Sequence, residues 1–204
     1  MNLTDTKRKE VLVIMKKGSM AGIVTAAVIY PLLFVLASSC GLIHPVCYAY
    51  AGTFLPLLMS FVYLYVTANM QRFGAAVLLN GVLLAVGLIA GEGNPALVVI
   101  IVVVTVIAEL FRRMKGYETL KGVRLSFVPF AFSFYAYSAH WWTDTKGSLE
   151  AALKEMPAGY ADKMAPVIAN TPLLIVMLIL TIPVAVLAVR IAERVMKKQT
   201  ARLK

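Results

Sequence analysis

The sequence is poor in charge. Of its 204 residues 15% are Asp, Glu, Lys or Arg, and only 10 of these are acidic. Histidine and cysteine occur twice each, as His44, His140, Cys40 and Cys47. These scarcities exclude a good deal. No CxxC pair or His/Cys array has zinc-ligand spacing, so no metal site is expected. No Walker motif or other nucleotide-binding segment is present, so uphill transport would draw its energy from another chain. No Ser/His pair, HExxH or paired aspartates fall at spanning depth, which argues against an intramembrane hydrolase and against an enzyme in general. Deep carboxylates are almost missing, whereas a proton- or sodium-driven transporter usually needs them. The exception, Glu109, is expected to pair with Arg113 one turn later.

What the sequence has instead is apolar surface. Hydrophobic residues make up 60% of the chain and the mean hydropathy is +0.81. A soluble domain averages about 45–50% apolar residues. The excess is gathered into blocks near the ~20 residues that a helix needs to cross a bilayer. An all-α integral membrane protein is expected, with lipid as the solvent for most of its surface. Six transmembrane helices are predicted, over about 19–38, 44–69, 73–90, 95–112, 122–142 and 169–191. The second contains Pro45 and Pro56 and should be tilted or kinked. The chain 1–204 reads as a single six-helix membrane domain, without repeat or low-complexity tract. The basic stretch Lys7–Lys17 precedes an apolar run, Met20–Ala37, longer than the ~7–15 residues of a signal-peptide core. That run is read as a retained first span.

The net charge of +10 does not indicate nucleic acid, because the charges lie at the ends of apolar blocks. Most of the 20 Lys and Arg residues fall on the N-terminus, the second and fourth links and the C-terminus; Lys146, Lys154 and Lys163 alone lie on the other side. The positive-inside rule then places both termini in the cytoplasm. The links carrying Cys40, His44, "GEGNP" and "HWWTD" face outward. The two cysteines read as unpaired small residues near that edge.

Several features are candidates for function. Gly18, Gly22 and Ala26 recur every four residues on the first span and make a smooth face. Small residues at this spacing let helices approach closely in lipid, for a partner subunit or for packing within the chain. Phe127, Phe130, Phe134, Tyr137 and Trp141 form an aromatic stripe along the fifth span, which is usually a packing face. Its end, "YSAHWWTD", is different. An interfacial belt needs one tryptophan, not Trp141 and Trp142 with His140 and Asp144 beside them. Glu92 and Asn94, in "GEGNP", are either ligand acceptors or a solvated turn before Pro95. His44 and His140 are either polar edge residues or ligands for haem iron, with Tyr48, Tyr50, Tyr137 and Met59 as further contacts. Asn80, near mid-membrane, needs an internal partner, by default on another helix. The outer segment 143–168 is expected to hold a short helix capped by Ser148 and carrying Leu149, Leu153 and Met156. A break at Pro157-Ala-Gly and a second helix over Tyr160–Met164 follow. It is either a lid over the outer mouth or a membrane-surface connector.

The stretches "GIVTAAVIY" (22–30), "RFG" (72–74), "GEGNPAL" (91–97) and "TPLLIVMLIL" (171–180), with the order and spacing of the spans, carry a resemblance. The chain resembles the Trep_Strep, or MptD-like, family within the S components, the substrate-binding subunits of energy-coupling factor (ECF) transporters. The likeness covers nearly the whole chain, and its motifs are short. It implies an S-component-like bundle that binds a micronutrient at its outer side and docks through span one onto a transmembrane coupling subunit carrying two ATPases. The docking motif Ala-x-x-x-Ala falls here on Gly22 and Ala26, with glycine at the first position. Where relatives often have His and Trp in the third link, this chain has Glu92 and Asn94, so the ligand does not transfer by analogy. The expected substrate site is Trp141, Trp142, His140, Asp144, Tyr137, Glu92, Asn94 and His44, and the cargo a ring-bearing, vitamin-like small molecule. No resident cofactor is expected. The alternative is a membrane scaffold or assembly protein without a pocket.

Overall fold

A computed structural model describes residues 20–202 apart from residue 92, with side chains through 199. The positions of Gly18 and Glu92 therefore lie outside the described residues. Among the described residues the chain is helical, without strands.

Helix α1 (Met20–Ser39) buries Ile23, Ala26, Ala27, Tyr30, Phe34 and Ala37 on one side. That is the spacing of a single helical face. Val24, Val28, Leu32 and Val35, on the other side, are exposed. In water such a face would be a liability, but against lipid it costs nothing. A 3-10 turn (Cys40–Leu42) leads to α2 (Pro45–Phe54). His44 caps α2, its Nδ1 accepting from the Val46 N–H at 3.2 Å, and Pro45 takes the first helical position, where its missing N–H is harmless. Helix α3 (Pro56–Asn69) continues α2 almost without a break. Pro56 has no N–H to offer the preceding turn, and this interruption splits the expected second span into two helices.

Helix α4 (Ala75–Ile89) is apolar but only 15 residues long. Helix α5 (Pro95–Lys115) starts at a cap in which Asn94 Oδ1 accepts from the Leu97 N–H at 2.8 Å. Met20–Leu42, Pro45–Asn69, Pro95–Lys115 and Thr171–Gln199 are long and apolar enough to cross a membrane. The predicted fifth span, 122–142, is instead three short helices: α6 (Leu120–Phe130), α7 (Ser133–Ser138) and α8 (His140–Thr143). The ladder is interrupted after Pro129 and again at Ala139, although Ala131 and Ala139 keep helical dihedrals.

Two short helices fill the outer segment read as either a lid or a connector, α9 (Thr145–Glu155) and α10 (Tyr160–Ala169), and α11 (Thr171–Arg202) closes the bundle. The cap of α9 is Asp144, whose Oδ1 accepts from the Gly147 N–H at 3.1 Å, and not Ser148 as the sequence suggested. Ser148 lies inside the first turn and is buried. The break between α9 and α10 falls at Pro157–Gly159, where Gly159 takes a φ of 79°.

The main core joins α1, α3, α4, α5, α6 and α11. Its polar members are tied across helices. Tyr30 donates to Asn80 Oδ1 at 3.0 Å, and Asn80 Nδ2 donates to Thr105 at 2.8 Å, so one amide bridges α1, α4 and α5. Tyr63 donates to Ser126 at 2.7 Å. Such bonds are worth most where water cannot substitute. At the basic end, Arg112 is fully buried and donates to the carbonyls of Met70, Arg72 and Tyr117. Glu109 lies beside Arg112, 3.8 Å away, and not against Arg113, which is exposed. A four-residue spacing alone does not show which of two adjacent arginines turns inward. Glu109 Oε1 also accepts from the N–H groups of Gly74 and Ala76 and so caps α4 from another helix. Arg124 on α6 and Lys197 both pair with Glu193 on α11.

A second, smaller core lies at the other end. Tyr50, Tyr135, Trp141, Ala152, Tyr160 and Met164 belong to it. It holds α9 and α10 against α2 and α8, so the 143–168 segment is a packed layer and not a loose connector.

Candidate functional site

The aromatic stripe divides into two parts. Phe127, Phe130 and Phe134 are fully buried in the main core. Phe130 stacks against Tyr63 at 4.4 Å between centroids, and Phe134 against Phe34 at 5.5 Å. They are packing residues. Tyr137 and Trp141, the last two, reach the wall of an open cavity of about 670 Å³.

This cavity sits at the end of the bundle that carries the α4–α5 link, away from the buried Arg112. Four parts of the chain meet there. The α1 end and its 3-10 turn supply Ser38, Gly41 and Leu42, and the α4–α5 link supplies Gly91, Gly93 and Asn94. From the broken α7–α8 region come Tyr137, His140, Trp141 and Asp144. The fourth wall is α9, whose inward side is Gly147, Ser148, Ala151, Ala152 and Glu155. These positions follow one helical face and most are small, so α9 lies close over the opening without filling it. Tyr48 and Tyr160 complete the aromatic content.

His140 is fixed by Ser148. Its Nδ1 lies 2.9 Å from the Ser148 hydroxyl, and that hydroxyl donates to the His140 carbonyl at 3.0 Å. A serine has one proton to give. With that proton on the carbonyl, His140 Nδ1–H is the donor of the second bond, and Nε2 keeps its lone pair. Trp141 is 4% exposed, with its ring 5.1 Å from His140 and 6.2 Å from Tyr48. Its indole N–H has no hydrogen-bond partner among the described residues, and neither has the buried hydroxyl of Ser38. An unmet buried donor is costly, about 1–3 kcal/mol. Burial raises the Tyr160 phenol above its ordinary range and keeps it neutral.

Of the expected site residues, Tyr137, His140, Trp141, Asp144 and Asn94 converge on the cavity. Trp142 does not line it and faces Tyr50 in the second core instead. His44 is exposed, outside the lining, and engaged as the cap of α2. A haem held between the two histidines therefore has no support here, and no three His, Cys, Asp or Glu side chains converge as a metal site among the described residues. Cys40 and Cys47 are unpaired. On α1, Ala26 is buried in the main core and Gly22 faces Tyr65 of the same chain, whose hydroxyl would stand 2.1 Å from an added Cβ. Both small residues serve internal packing. Sequence reading missed Ser38 and Glu155 as wall residues. The small-residue periodicity of 147–152 was the available signal.

Fold and cavity together define a multi-pass helical membrane protein with an open pocket at one end. The chain belongs to the Trep_Strep family, described as a hypothetical bacterial integral membrane protein, and the match spans residues 19–202. No curated protein and no solved structure matches the chain.

Proposed function

We propose that the chain is the substrate-binding membrane subunit, the S component, of an ECF-type ABC importer. In this reading it captures a micronutrient, a ring-bearing vitamin-like compound, at the outer face of the bacterial membrane. A coupling subunit and two ATPases then drive uptake. All six predicted segments cross, with α6–α8 as a kinked fifth and α4 as a short third, and both termini lie inside. The observation that carries the reading is the end cavity, walled by rings and polar groups and roofed by α9. A scaffold has no need of such a pocket. The lack of a nucleotide motif fits a subunit whose energy comes from partners.

Purification in mild detergent, from cells holding the candidate coupling subunit and ATPases, tests this directly. The three partners should copurify, and native mass spectrometry should show one added small mass per chain. A chain that comes through alone, in detergent that preserves such complexes, would defeat the reading.

A further inference from the structure

The charge of the cavity is one-sided. Two carboxylates, Asp144 and Glu155, belong to its wall, at the two ends of α9, and no lysine or arginine lines it among the described residues. This is notable in a chain of net charge +10. The lysines of α9 turn elsewhere. Lys146 is 90% exposed and lies 4.0 Å from Glu150, and Lys154 is exposed outside the lining.

Anions are commonly received by arginine, lysine or an open helix N-terminus. None is on offer here. The N-termini of α5 and α9 both reach the cavity, but each is occupied by its own cap, Asn94 on Leu97 N–H and Asp144 on Gly147 N–H. A bare metal ion is no better served, because no three ligating side chains converge among the described residues. What the wall does supply is aromatic rings, from Tyr48, Tyr137, Trp141 and Tyr160. Ring faces attract organic cations. It also supplies the imidazole of His140, whose Nδ1 is engaged by the Ser148 hydroxyl.

We propose that the cavity takes an organic cation: a ring-bearing molecule with a fixed or protonated positive nitrogen. Asp144 and Glu155 set the sign of the charge, and the rings receive the cationic group. This inference rests on the reading of the cavity as a cargo site.

Three probes share one ring and differ in charge: 1-methylpyridinium-3-carboxamide, pyridine-3-carboxamide and pyridine-3-carboxylate. Phenyltrimethylammonium adds a cation of another shape. Binding to the purified full chain is read from the fluorescence of Trp141 and Trp142. At least one cation should bind about tenfold or more tighter than the neutral and anionic rings, and more weakly as salt is raised. The variant Asp144→Asn retains the cap, because asparagine caps as well as aspartate. Combined with Glu155→Gln it should erase most of the cation preference. An anion that binds as tightly as the cations, a preference that survives the double variant, or no saturable response to either cation at millimolar concentration would overturn the proposal. The transporter reading is judged separately by the copurifying partners. A cation preference without partners removes only the transporter, and partners without the preference remove only the cargo class.

Discussion

Tyr65 closes the small face of the first helix: its hydroxyl occupies the space that a side chain at Gly22 would need, 2.1 Å from an ideal Cβ. The contact is internal, and it is a single flexible ring tip against a missing methyl group.

Gly22→Ala should therefore overpack the α1–α3 contact and lower stability by about 1–3 kcal/mol. Removing the offending oxygen as well, in Gly22→Ala with Tyr65→Phe, should restore much of that loss, since the ring carbon behind it stands at 3.2 Å. Thermal unfolding in detergent reads both. A single variant with unchanged melting that still lost the partner subunits would show that this face meets another protein instead.

Ser148 ties α9 to His140 through two hydrogen bonds, 2.9 and 3.0 Å long. Ser148→Ala should loosen α9 while leaving the main core intact, at a cost of about 1–3 kcal/mol for the groups left unpaired. Limited proteolysis between Thr145 and Glu155 should quicken, with little change in global melting. Equal protection of wild type and variant would mean that the second core alone holds the roof.

Arg112 and Arg113 are neighbours with opposite expectations. Arg113→Ala, at an exposed position, should shift stability by less than about 0.5 kcal/mol. Arg112→Ala removes a buried cation and leaves Glu109 without its counter-charge, and should cost about 3–5 kcal/mol. Expression level and melting temperature of the two variants give the comparison.

Asn80→Leu should cost about 1–2 kcal/mol in the membrane, because Tyr30 and Thr105 both lose their bridge. Tyr30→Phe, which removes only one arm, should cost less. Equal losses would place the value of the network in Tyr30 alone.

Cys40 and Cys47 flank the predicted outer edge, and Cys47 is exposed. A membrane-impermeant maleimide should label Cys47 in intact cells, and a reporter on the C-terminus should stay protected. Labelling only after lysis would reverse the orientation expected from the lysine and arginine distribution.

Much of the architecture was legible where the chain carries a local pattern. The buried stripe of Phe127, Phe130 and Phe134, the stop at Pro157–Gly159, the helix start at Pro95 and the need of Asn80 for a partner all follow from spacing or from one residue's chemistry. The site was legible in part, because Tyr137, His140, Trp141 and Asp144 are adjacent in sequence and stay together in space. What failed depended on distant neighbours. Tyr65 is far in sequence from Gly22, and Ser38 is far from the α9 face with which it shares the cavity. Trp142 points away from Trp141 because consecutive positions on a helix face different directions. The division of 120–143 into three helices was hidden for another reason: the pattern of apolar residues runs on through the interruptions.

Arg112 grips backbone oxygens of two separate links, Met70 and Arg72 before α4 and Tyr117 before α6. One side chain thus removes the relative freedom of two loops. Whatever pushes on either link at this end of the bundle displaces both, so mechanically the α3–α4 and α5–α6 corners form one lever, with its pivot buried inside the protein.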